Sequence, residues 1–347
     1  MKDDFNIVDG TLISYTGCDT DIVIPDGVKT IGYNAFTGCY NITSIEIPDS
    51  IMKVGELTSA YMDITELYPI KYNEYDNGLY LGNGTNPYLV LIKAKNTCVR
   101  TCIVHINTKI IASYAFEGCS SLESIIMADN IVSIEDGAFD GCSSLTKIKI
   151  PKSIINIGER AFIGCESLLD IQVAVGNSIY DSRNNCNAII ETKTNSLILG
   201  CGSTIIPDNI ASIGEVAFYK CNTLENITIP SGVKFIGREA FSSCNSLRKV
   251  IIPNGVESIE LGTFSGCISL SNVTIPDSVT SIEWYAFSGC ISLTKVYYEG
   301  NSSNWNNIDL ESFNTNLTDA TIYYYSETQP TDTGNYWHYV DGVVTEW

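Results

Sequence analysis

Two histidines, His105 and His338, stand 233 positions apart in a chain of 347 residues, so a histidine-centred triad or a histidine-rich metal site has little to draw on. The 13 cysteines offer thiols, and Cys98 and Cys102 are spaced like half of a metal site. Structural zinc takes four ligands, and this chain has only its two histidines to complete a set, so no metal and no cofactor is expected. The 40 Asp and Glu residues leave a paired-carboxylate glycosidase open by count alone. Four of them, however, follow a proline (Asp26, Asp49, Asp208, Asp277), where Asp bonds its own backbone and favours a turn. There is no Gly-x-Ser-x-Gly elbow and no phosphate-binding glycine loop. Gly82-Asn83-Gly84 is turn chemistry, because no strand–glycine–helix context surrounds it. A non-catalytic protein is expected.

Charge narrows the partners. The formal net charge is −20 and no run of Lys or Arg offsets it, so phosphate backbones and anionic membrane surfaces are repelled. Hydrophobic residues are 44% of the chain and charged ones 17%, enough apolar material for a large core. No apolar run approaches the ~18 residues that a membrane helix needs, so no membrane insertion is expected. The start, Met1-Lys2-Asp3-Asp4-Phe5-Asn6, lacks the apolar stretch of a signal peptide, which fits a cytoplasmic protein or a mature chain with a new initiator.

What organises the chain is a period. Pro207, Pro230, Pro253 and Pro276 are 23 apart; so are Cys119, Cys142 and Cys165, then Cys221, Cys244, Cys267 and Cys290. Phe116, Phe139 and Phe162, then Phe218, Phe241, Phe264 and Phe287, keep the same interval. Three residue types locked to one period mean stacked structural repeats. Within a unit, Leu145/Ile148/Ile150, Leu247/Val250/Ile252 and Leu293/Val296/Tyr298 end in a period-2 alternation, the mark of a strand with one buried face. Proline then ends the strand, having no N–H for a ladder. A second short extended piece follows, then a tight turn carrying Ala-Phe, and Gly-Cys leads to the next strand. One such unit cannot bury its own apolar face; stacked units can, with equivalent side chains ~4.8 Å apart in parallel sheets. That interval also exceeds the ~3.8 Å between Cβ atoms of a disulfide, so the ladder cysteines are expected to be buried and unpaired.

The motif I-P-x-x-V-x-x-I-G-x-x-A-F-x-G-C-x-S-L, clearest over Ile275–Leu293, resembles the BspA-like (Treponema pallidum-type) leucine-rich repeat. The likeness covers roughly 20–50 and 105–300. It departs where Ala128 and Ala174 replace the proline and Thr263 the alanine. It implies a β-rich, mixed α/β, right-handed leucine-rich repeat solenoid of 23-residue coils with a parallel sheet. The gaps from Cys39 to Cys119 and from Cys165 to Cys221 then hold insertions, and Val54-Gly55 marks an eroded repeat 23 residues after Ile31-Gly32. Apolar runs around polar turns predict β-hairpins near 70–104 and 174–202, and a third caps the start. The expected organisation is a hairpin cap and first repeat start over 1–36, a solenoid over 37–300, and an aromatic-rich cap over 301–347, where three of the four tryptophans lie.

The strand face turned away from the core is the expected binding surface. Its 24 outward positions in eight copies carry five basic residues, Lys147, Lys149, Arg248, Lys249 and Lys295, against four acidic ones, Glu46, Glu123, Asp170 and Glu225. Tyr297 adds apolar area there, and Trp305 and Trp337 form a candidate aromatic platform for sugar rings. A purely structural reading has the lysines relieving repulsion along the stack. The resemblance implies a monomeric recognition or adhesion protein, extracellular or on the cell surface, binding a host or matrix protein. A carbohydrate-binding surface protein and a cytoplasmic interaction scaffold are the alternatives.

Overall fold

The computed structural model describes residues 4–55 and 70–347. Met1–Asp3 of the start, and the remainder of the eroded repeat over 56–69, lie outside the described residues. The chain forms two compact units, one from Met1–Cys165 with Val173–Ile179, the other from Glu166–Gln172 with Tyr180–Trp347.

In the second unit, strands Lys249–Ile251, Asn272–Ile275 and Lys295–Tyr298 pair in parallel at an interval of 23, Lys249 opposite Asn272 and Asn272 opposite Lys295. The second extended pieces, Ser258–Ile259 and Ser281–Ile282, form a separate parallel ladder at the same interval. The first unit repeats this plan: Thr101–Ile103 pairs Ser124–Ile126, and Ile110–Ile111, Ser133–Ile134 and Asn156–Ile157 pair in turn. Each coil is thus a 23-residue turn with two strands, and every apolar position of the repeat points inward. Leu247, Val250, Ile252, Val256 and Ile259 are all 2% exposed or less.

The three expected hairpins are present, and each does more than fill a gap. Val90–Ala94 is antiparallel to Gly78–Leu81 on one side and parallel to Ile110–Ile111 on the other. Leu197 pairs in parallel with Ile213, and Leu12 with Ile31, while their hairpin partners lie on the opposite edge. One strand of each hairpin therefore stands in for a coil strand, which keeps the ladder continuous into the insertion. The eroded repeat holds as well, with Lys53–Val54 parallel to Thr30–Ile31.

The phenylalanines form two stacks. Phe116, Phe139 and Phe162 lie 5.2 Å apart with ring planes within 2°, and Phe218, Phe241, Phe264 and Phe287 follow at 5.0, 5.5 and 5.4 Å. Offset parallel rings at this spacing each contribute beyond their buried area. The Gly-Cys pair has a backbone reason: Gly118, Gly141, Gly164, Gly266 and Gly289 all adopt positive φ, which suits a residue without Cβ.

The cysteine has one too. The Sγ of Cys142, Cys244, Cys267 and Cys290 donates to the carbonyl of the Phe one coil back (Phe116, Phe218, Phe241 and Phe264), at 3.2, 3.0, 3.1 and 3.1 Å. Cys is small enough for the ladder, apolar enough for the core, and still a donor. All 13 cysteines are free and ten are buried; Cys18 and Cys98 are exposed and Cys39 is half-buried. Beyond the effect of burial, Cys18 raises the pKa of Cys39 and Cys98 that of Cys119, so these two thiols, read from sequence as outside the ladder, lie beside its first members. Burial pushes Cys119 and Cys221 up to about 11 and Cys290 to about 12. Thiolate is the reactive form. Titration of native protein at pH 8 is expected to find two to three fast thiols (Cys18, Cys98 and, more slowly, Cys39), and all 13 in denaturant; a fast count above five would contradict this packing.

Candidate functional site

The outward residues of the strand face are where the alternation puts them. In Lys147–Ile150 the two lysines are exposed while Ile148 and Ile150 are buried. Ser124 stands opposite Lys147 on the neighbouring strand, and Ile103 opposite Ile126. Ile103 and Ile126 are 42% and 55% exposed, so this face of the first unit combines two lysines with an open isoleucine pair. At its edge Arg100 and Glu123 form an exposed ion pair at 3.0 Å. In the second unit Arg248 and Lys249 are exposed, and Ile251 on the same strand is 43% exposed. Among the described residues, no carboxylate lies within salt-bridge distance of Lys147, Lys149, Arg248 or Lys249.

The remaining candidates have another role. Strand Thr321–Tyr325 extends the sheet beyond Lys295–Tyr298, with Tyr323 opposite Tyr297. The antiparallel hairpin of Tyr336–Val340 and Val343–Glu346 continues the sheet, Tyr336 pairing in parallel with Tyr324, and brings Trp337 and Glu346 against the outward side of the earlier strands. Trp337 is fully buried, its ring edge-on to Tyr297 and Tyr325, and its Nε1 donates to the Tyr298 carbonyl at 2.9 Å. It is a plug, not an open platform for sugar. Tyr297 points outward as expected, but the hairpin leaves it 8% exposed, and its hydroxyl donates to Glu346 Oε1 at 2.6 Å. Lys295 Nζ donates to the same oxygen at 2.6 Å, and that bond lifts the lysine pKa while the lysine and tyrosine together lower that of Glu346. Trp305 is half-buried and packs edge-on to Tyr298 against the core. These corrections share a cause: strand alternation gives the side on which a residue points, but not whether a later segment folds back to cover it. Lys147, Lys149, Arg248 and Lys249 remain free.

Three exposed aromatics escape the sequence reading. Trp284, Tyr285 and Phe313 are 47%, 40% and 52% exposed, and the first two each meet Phe313, with Tyr285 and Phe313 stacked at 4.4 Å. Their signal was present: Trp284-Tyr285 fills the two variable positions before Ala-Phe, which need no apolar residue.

The description "BspA type Leucine rich repeat region" matches residues 13–74, 95–200 and 198–318 in six copies. The chain belongs to the BspA-type leucine-rich repeat family. Among solved structures it is similar to a leucine-rich cell surface protein of Faecalibacterium prausnitzii, at 26% identity and a TM-score of 0.53, covering 88% of this chain and 95% of that one. The pneumococcal vaccine antigen PcpA shares the fold at 17% identity and a TM-score of 0.53, covering 91% and 87%. No curated protein matches the chain. Among the described residues no helix is long and apolar enough to cross a membrane, and no three His, Cys, Asp or Glu side chains are grouped to hold a metal ion.

Proposed function

We propose that this protein is a non-catalytic, surface-exposed or secreted recognition protein that captures a host or matrix protein on the outward strand faces of its units. The observation that carries this reading is the set of four exposed cations without ion-pair partners, Lys147, Lys149, Arg248 and Lys249, on strand faces of a protein whose net charge is −20. The open isoleucines beside them, Ile103 and Ile126 in one unit and Ile251 in the other, supply apolar area that a protein partner can bury. Placement at a cell surface draws on the family and on the surface protein of F. prausnitzii.

Exposed charge contacts contribute ~0.2–1 kcal/mol each, so single substitutions will look weak. The test is a combined reversal, Lys147→Glu, Lys149→Glu, Arg248→Glu and Lys249→Glu, assayed for capture on a panel of immobilised extracellular matrix proteins. Capture by the wild type is expected to weaken as salt rises, because exposed charges are screened beyond ~8–10 Å, and to be lost in the variant with little change in melting temperature. A variant that captures the same protein as well as the wild type would remove the strand face from consideration.

A further inference from the structure

The cluster of Trp284, Tyr285 and Phe313 lies on the turn after the second strand of the coil, not on the strand face, and nothing in the fold requires it. Tyr285 and Phe313 occupy a position where the backbone adopts positive φ, 61° and 67°. Other coils fill the same place with Asn34, Gly137, Glu239 or Gly262, and also with Tyr114, Arg160 and Val216, but among the described residues only here do two aromatic rings on successive coils stack at that position. A bulky residue is disfavoured in that conformation, and here the rings return little burial because they stay 40% and 52% exposed. Their planes are 6° apart, and Trp284 leans against Phe313 with its Nε1 donating to the Glu311 carboxylate.

The surroundings are acidic. Ser258, Ser281 and Asp309 stand in register on successive strands, and two residues after each comes a glutamate: Glu260, Glu283 and Glu311. Among the described residues no Lys or Arg lies within salt-bridge distance of these three. Aromatic faces carry negative potential and attract cations, and carboxylates beside them add to it. An anionic ligand is repelled here. A neutral sugar could stack on the rings and give its hydroxyls to the carboxylates, but a cation gains from their charge as well.

We propose that Trp284, Tyr285 and Phe313, with Glu283 and Glu311 beside them, form a recognition patch for a cationic peptide side chain, an arginine guanidinium or a lysine ammonium. It is a second surface, separate from the lysine-bearing strand face and opposite to it in charge.

A polyanionic protein attracts any polycation, so the test must separate ring contacts from bulk charge. The probe is a fluorescein-labelled Gly-Arg-Gly-Arg-Gly peptide, with its citrulline analogue as the neutral control. The variant Trp284→Ala/Tyr285→Asn/Phe313→Asn leaves net charge unchanged, and Asn is at home in positive φ, so the fold should be kept; circular dichroism checks this, and Phe313→Asn alone serves if the triple variant is damaged. Loss of about ten-fold in affinity is expected for the triple variant and a smaller loss for Glu311→Gln, with no binding of the citrulline peptide. The strand-face reversal at Lys147, Lys149, Arg248 and Lys249 should keep at least the wild-type affinity for the probe, which makes the two readings fail independently. Equal binding by wild type and triple variant, or by arginine and citrulline peptides, would overturn the proposal. So would capture of a neutral oligosaccharide that the triple variant loses, which would mark the rings as a sugar platform.

Discussion

Phe241→Ala lowers the stability of the second unit by about 3–5 kcal/mol, the usual cost of deleting a buried phenylalanine ring. Phe241 has no exposed surface and lies between Phe218 and Phe264, at 5.0 and 5.5 Å. Its removal leaves a cavity flanked by two rings that are themselves fixed by their own coils, so the gap cannot collapse. In a stacked repeat each coil depends on its neighbours, and a loss in the middle is felt on both sides. Phe241→Leu keeps most of the volume and should cost clearly less. Urea unfolding followed by circular dichroism measures both. Destabilisation of Phe241→Ala by less than about 1 kcal/mol would mean that the ring stack is not a principal source of stability.

The second large effect depends on pH. Glu135 sits where most coils of the first unit have glycine, as at Gly32, Gly55 and Gly158. Its side chain is fully buried, Ser133 donates to Oε1 at 2.5 Å, and Oε2 has no hydrogen-bond partner. The nearest cation, Lys53 Nζ, is 3.9 Å away and itself 44% exposed. Asp136 follows it in sequence and adds like charge, and Tyr33 binds Asp136, not Glu135. Desolvation outweighs the help from Ser133 and Lys53 and raises the carboxyl pKa from 4.5 to about 7. The sign follows from proton binding: between those values the folded chain holds a proton that the unfolded chain has released. Stability therefore falls as pH rises from about 4.5 to about 7 and levels off above, by up to about 3 kcal/mol at 1.36 kcal/mol per tenfold change in proton affinity. Glu135→Gln should be the more stable protein at pH 8 by an amount of that order, with the advantage shrinking towards zero at pH 5. Denaturant midpoints at the two pH values measure it; a constant difference between variant and wild type would show that Glu135 does not titrate in this range.

The fold was legible because its causes are local and repeated. Ile-Pro ends a strand, Gly-Cys turns the chain, and Ala-Phe fills the core, so one coil read correctly gives its neighbours; the Phe stacks and free ladder thiols follow from that register. What the sequence concealed were events between distant segments. Lys295 and Tyr297 obey the alternation and point outward, yet the hairpin ending at Glu346 covers them. Trp337 read both as part of an aromatic cap and as a candidate platform for sugar rings; it is buried, its indole bonding the Tyr298 carbonyl in a strand 39 residues earlier. Conversely, Trp284 and Tyr285 fill variable positions before Ala-Phe, for which the repeat pattern sets no residue type, and both are exposed.

Lysine footprinting tests directly whether a strand face is the surface that meets a protein partner. The captured complex and the free protein are acetylated briefly, and each lysine's modification is read by mass spectrometry. Lys147 and Lys149 on one unit, or Lys249 on the other, should be protected in the complex, while Lys109, Lys152 and Lys234, which lie off the strand faces, react as in the free protein. Unchanged reactivity at Lys147, Lys149 and Lys249, with protection at any of the other three, would contradict the strand-face reading.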